Sequence, residues 1–219
     1  MPGTPSLLPL FPLPNVVLFP RAILPLHIFE PRYKLMTSDV LTSHRHLAMA
    51  LLRPGWEKDY YGKPAIEPIV CVGEIVSAEQ LDNGNYNFLL QGKQRARIVR
   101  EVPHDPYRLA DLEPVDETPT MEIDLEPHRQ SLVKLFTRTP LSGLPLARQF
   151  RELLATPINT PDIADILAFN LLEDIPTKQE LLEDGDVSHR ISRLIQELTR
   201  LSSTFNSALR GYPADPGMN

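Results

Sequence analysis

Residues 7–33, LLPLFPLPNVVLFPRAILPLHIFEPRY, set leucine, valine, isoleucine and phenylalanine between Pro9, Pro12, Pro14, Pro20 and Pro25. Each proline fixes φ and removes a backbone N–H, so no helix runs through this segment. The residue before each proline is biased toward extended geometry as well. No apolar run here approaches the roughly 20 residues that cross a bilayer. What remains is a set of short strands whose prolines sit at edges or bulges, where a sheet tolerates them. Proline is abundant throughout, with 23 among 219 residues, about twice the ordinary share of roughly 5%.

Two textures follow. Glu30–Leu41 has a helical pattern, with Tyr33, Met36 and Val40 on one face. His46–Leu52 is a short apolar run, and Ile69–Leu81 is β-branched with partial alternation. Asp82-Asn83-Gly84-Asn85 follows, and Asn-Gly between strand-like runs predicts a type I′ hairpin with positive φ at both central residues. Return strands are expected at Tyr86–Gln91 and, after Gly92, at Arg95–Val102, with another at Tyr107–Val115.

Pro114–Thr120 is polar, holds two prolines and reads as a linker. Beyond it the period is helical, at Met121–Phe136 and Leu144–Leu154. Thr160-Pro161-Asp162 reads as an N-cap, a first-turn proline and a first-turn acid for a helix Asp162–Leu171. Thr177–Glu180 fits a capping box. Val187–Leu209 carries apolar residues three or four apart from Val187 to Phe205, with Asp186 as N-cap. The expected division is 5–116, β-rich; 121–210, helical; and 211–219, a disordered tail.

The net charge of −6 lowers the expectation of a phosphate-gripping protein. The single cysteine, Cys71, has no internal disulfide partner, and MPGTPSLL lacks a signal-peptide layout. Both favour a cytoplasmic setting. A nucleophilic Cys71 served by His27 or His104 would need an electropositive, accessible site. Between Val70 and Val72 it is expected to be core instead. His44 and His46 lack companions at metal-ligand spacing, so no metal or cofactor is expected.

Lys93, Arg95 and Arg97 alternate along one predicted strand, pointing to one face, and Arg100 adds a fourth cation. They form a candidate anion or RNA patch, although no interleaved aromatics offer stacking platforms. A solvated strand face balanced by neighbouring acids is the simpler reading. The loop 53–68 holds the lone tryptophan, Trp56, with Tyr60 and Tyr61. Amphipathic aromatics on a loop are typical binding anchors, which makes these three the candidate peptide-binding residues.

Three blocks together are similar to one family. They are Pro9–Tyr33, with Val17-Leu18-Phe19-Pro20, Pro25-Leu26 and Phe29-Glu30-Pro31-Arg32-Tyr33 in order, the run Cys71–Ile98, and Asp165–Leu198. The chain resembles the N-terminal, substrate-binding domain of bacterial Lon-type ATP-dependent proteases over about residues 7–200. The resemblance implies an α+β fold in which a PUA-like β pseudobarrel packs against an all-helical bundle ending in a long helix. In full-length Lon proteases this unit precedes an ATPase and a serine-lysine peptidase and helps to recognise unfolded polypeptide. The 219 residues hold no Gly-x-x-x-x-Gly-Lys-Ser/Thr loop, since Gly62-Lys63 precedes Pro64 and Gly92-Lys93 precedes Gln94. The expectation is a stand-alone, non-catalytic domain whose partners are unfolded polypeptides or components of a proteolytic system. It would bind them in apolar grooves or along exposed strand edges. PUA-like modules also bind RNA, which is the alternative, and a hydrolase is a distant third.

Overall fold

The computed structural model describes residues 6–59 and 62–210, with side chains to Phe205 in the last helix. Tyr60, Tyr61 and the segment 211–219 lie outside the described residues. The elements run β1 Leu7–Leu13, β2 Ile23–Ile28, α1 Pro31–Leu41, β3 His46–Leu51, β4 Ile69–Gln80, β5 Tyr86–Val102 and β6 Arg108–Pro114. Helices α2 Glu122–Arg138, α3 Ala147–Leu154, α4 Thr160–Leu171, α5 Ile175–Glu183 and α6 Val187–Arg210 follow.

The sheet order is β2-β5-β4-β3-β1-β6, and β6 returns to pair with β5, so five strands close into a small barrel. Alternate residues of all five fill its interior: Leu8 and Leu10, Ala48 and Ala50, Val70 and Val72, Ala96, then Ala110 and Leu112. The four alanines suit a ring this narrow, which has room for few large side chains.

The prolines of β1 follow from its pairing. Leu7–Leu10 pairs with β6 and Leu10–Leu13 with β3, so the strand switches partner at Leu10. Pro9 and Pro12 each lie where the strand has a neighbour on one side alone, as their missing N–H requires. Pro25 lies in β2, which pairs with β5 alone and is an open edge.

Residues 86–102 form one strand, where two are expected from sequence. It passes through Gly92 because the backbone of the 14–22 loop lies against it there. Arg21 donates to the Gly92 carbonyl at 2.8 Å, and a Cβ on Gly92 would stand 2.0 Å from the Phe19 carbonyl oxygen. The β4–β5 hairpin forms at the expected place with a different turn. The Gly84 N–H donates to the Leu81 carbonyl at 2.8 Å, and Gly84 alone has positive φ, at 77°. This is a three-residue loop in which glycine occupies the left-handed position, rather than a two-residue type I′ turn.

Two helix starts also differ from the sequence expectation. Asn159, not Thr160, caps α4 by accepting from the Asp162 N–H at 2.8 Å. Thr160 is buried and bonded through its N–H and hydroxyl to Glu122. Asp174 caps α5 by accepting from the Thr177 N–H at 2.8 Å, so Thr177 lies inside the first turn instead of opening a capping box. Asp186 does cap α6, accepting from the His189 N–H at 3.0 Å.

The outer face of the barrel is buried too. Phe11, Leu47, Met49, Ile69 and Cys71 join one continuous apolar core with α1 and the helices from α2 onward. That coverage positions the two regions of chemical interest.

Candidate functional site

The basic strand segment does not form one surface. Register passes from Gly73↔Gly92 to Val72↔Gln94, so Lys93 sits in an irregularity and pairs with Glu74 at 2.7 Å. Arg97 lies 3.7 Å from Glu113, and Arg100 donates to Asp111 at 2.7 Å. Arg95 is buried, only 4% exposed, because its face of the barrel meets the helices. It donates to both oxygens of Asp165 on α4, at 2.7 and 2.6 Å, and to the Leu182 carbonyl of α5 at 3.0 Å. Glu117 stands 3.3 Å from Arg95 and accepts from Arg190 of α6 at 2.8 Å. Two guanidinium and two carboxylate groups thus neutralise one another, and each of the four sequence candidates faces a carboxylate.

The nucleophile reading fails on geometry. Cys71 is fully buried, and burial pushes its thiol up to about 12, which leaves no useful thiolate at neutral pH. Neither proposed base attends it: the His27 ring bonds Asn87 at 2.7 Å, and the His104 ring bonds the Tyr107 carbonyl at 3.0 Å. Among the described residues no group of three His, Cys, Asp or Glu side chains could hold a metal ion.

Trp56 has a different setting. It opens a 3₁₀ turn, Trp56–Asp59, in the loop that leaves β3 and returns before β4. The base of that loop is pinned to the barrel: Arg53 donates to the Ala65 carbonyl at 2.9 Å, Glu67 to that of Leu51 at 2.8 Å, and Leu52 to that of Leu13 at 3.0 Å. Half-buried Trp56 lines a groove of about 440 Å³ between the barrel and α5. Pro14, Leu51, Leu52 and Pro54 line the barrel side. Ile175, Pro176, Gln179, Glu180 and Glu183 line the other, a spacing that puts one face of α5 against the cavity. Gln179 ties this helix down, donating to the Ile69 carbonyl at 3.0 Å and to Glu183 at 2.8 Å.

Sequence reasoning singled out Trp56 and missed the α5 wall. Ile175, Gln179 and Glu183 recur four apart, but nothing local says that this face meets a loop from the first third of the chain. A second apolar surface lies on β2 and its neighbours, where Ile23 is 50% and Leu89 39% exposed. Phe29, 62% exposed, stacks on the His27 ring beside it.

The family described as the ATP-dependent protease La (LON) substrate-binding domain matches residues 7–200. The chain is 28% identical over 200 residues to a Lon protease of Dictyoglomus thermophilum, covering 90% of this chain and 24% of that protein. It is 28% identical over 215 residues to Lon protease 2 of Myxococcus xanthus, covering 94% of this chain and 26% of that protein. It therefore spans about a quarter of the length of these curated relatives. The fold is similar to the N-terminal domain of the Mycobacterium avium complex Lon protease, at TM-score 0.68 and 14% identity over 88% of this chain and 98% of that one. It is also similar to the crystal structure of a Lon N-terminal domain protein from Xanthomonas campestris, at TM-score 0.60 and 21% identity over 87% and 98%. A sheet closed on itself, a helical half locked to it and a sequence match over nearly the whole chain agree: this chain belongs to the Lon protease substrate-binding domain family.

Proposed function

We propose that the chain is a non-catalytic, cytoplasmic polypeptide-binding unit that takes extended segments into the groove between the barrel and α5. The carrying observation is that groove, about 440 Å³ and largely apolar, with a half-buried tryptophan in its wall. Concave apolar sites with a few polar groups are the usual place for a ligand. Family membership supports polypeptide as the ligand class, since the matched family is a substrate-binding domain.

The groove is favoured over strand addition. β2 pairs with β5 alone along its length, and Pro25 at its middle has no N–H to offer an incoming strand. The RNA alternative gains no support, because Lys93, Arg95, Arg97 and Arg100 already face carboxylates. A reducing compartment fits a single, buried cysteine.

Trp56 is the only tryptophan in the sequence, so its emission reports directly on the groove. Titrating an unfolded polypeptide into the protein is expected to shift that emission saturably. In a labelled-polypeptide assay, Trp56→Ala should weaken binding about tenfold or more, as loss of an aromatic anchor does. Unchanged affinity in the variant would remove the groove from the reading.

A further inference from the structure

The groove is apolar inside and charged with one sign at its lining. Glu67 from the barrel side and Glu180 and Glu183 from α5 all line it, and among the described residues no lysine or arginine does. Glu180 and Glu183 occupy the C-terminal turn of α5, where the helix dipole adds to the negative potential. Arg53 lies 3.2 Å from Glu67 and Arg193 lies 3.8 Å from Glu180, both cations standing outside the lining. The Arg193–Glu180 pair is long and solvent-exposed, so it is worth little and exchanges readily with a competing cation. Glu183 accepts a bond from Gln179, a neutral donor that leaves its charge in place.

We infer that the groove selects cationic apolar segments: extended peptide in which a large apolar side chain is flanked by lysine or arginine. This rests on the polypeptide reading above and adds a substrate class to it. The apolar side chain enters between Trp56 and Pro176, and the flanking cation meets the Glu180 and Glu183 carboxylates. An acidic segment of equal hydrophobicity is repelled by the same carboxylates, so discrimination comes from both attraction and repulsion.

The test uses the full chain and three synthetic peptides of one length, sharing a central phenylalanine and leucine. Lysines flank that centre in the first, glutamines in the second and glutamates in the third. Affinities are read from Trp56 emission and by calorimetry at low and high salt. The lysine peptide is expected to bind about tenfold tighter than the glutamine peptide at low salt, with the glutamate peptide weakest and the spread shrinking as salt rises. A Glu180→Gln, Glu183→Gln double variant, with its fold checked by circular dichroism, should bring the lysine and glutamine peptides to equal affinity. Equal binding of all three by the unaltered protein would overturn charge selection and leave the polypeptide reading standing. So would a lysine preference that survives in the double variant. If none of the three perturbs Trp56 or releases heat, the groove reading falls, and charge selection with it.

Discussion

Arg95 brings a full positive charge to a place where water cannot follow, and its partners explain why that is tolerated. A planar guanidinium meets both oxygens of Asp165, and its remaining Nε donor reaches the Leu182 carbonyl. Desolvation, the largest single effect, works against the charged form, yet the charge and hydrogen bonds of Asp165 together with Glu117 outweigh it and raise the Arg95 pKa. Removing one partner strands the other as a buried charge. Asp165→Ala is therefore expected to cost about 3–5 kcal/mol in urea unfolding. The double change Arg95→Met with Asp165→Leu should recover much of that loss, because it strands no ion at this pair. Cys71 offers a second residue-scale check. With its thiol pushed up to about 12 by burial, it should resist an alkylating reagent at pH 8 in the native protein and react promptly in denaturant. Sequence context identified Cys71 as core because valines flank it on both sides. The same reasoning misplaced Arg95, since strand alternation says which side a residue faces and not what covers that side.

Elements were more legible than residues. Period-2 and period-3.6 patterns located β3, β4, the hairpin and α6 because each depends on the chain's own neighbours. The misses at Gly92 and Thr160 concern details set by an approaching partner. Gly92 looks like a strand break in sequence, but its lack of a Cβ admits the Phe19 carbonyl and lets β5 continue. Gly92→Ala would drive a Cβ into backbone and is expected to cost several kcal/mol, read as a large fall in the urea midpoint. The α5 cap carries a pH signature. The Thr177 hydroxyl and N–H hold the Asp174 carboxyl below its ordinary value, so its folded pKa lies under its unfolded one. The cap's contribution is then fully present above about pH 4 and is lost as pH falls through the lower folded value. Asp174→Ala should cost about 1 kcal/mol at neutral pH, and the gap from the unaltered protein should narrow in acid.

At the scale of the molecule, barrel and helices share one apolar core, and the Arg95–Asp165–Arg190–Glu117 cluster joins them across it. Such continuity predicts one cooperative unfolding transition, with Trp56 emission and far-ultraviolet circular dichroism changing together in urea. Separated transitions would mean that strand and helical halves unfold independently. The groove belongs to this scale as well, since its two walls come from β3 with its loop and from α5. The sequence alone determined the succession of strands then helices, the proline-limited opening segment, the core status of Cys71 and the family. All of these are carried by residue order and short-range periodicity. Only the tertiary structure decided that Arg95 lies inside and that Trp56 lines one groove with three glutamates and the Ile175–Pro176 wall. Those outcomes depend on which distant surface a side chain meets, as with Arg95 and Asp165, 70 residues apart, and local pattern carries no information about that.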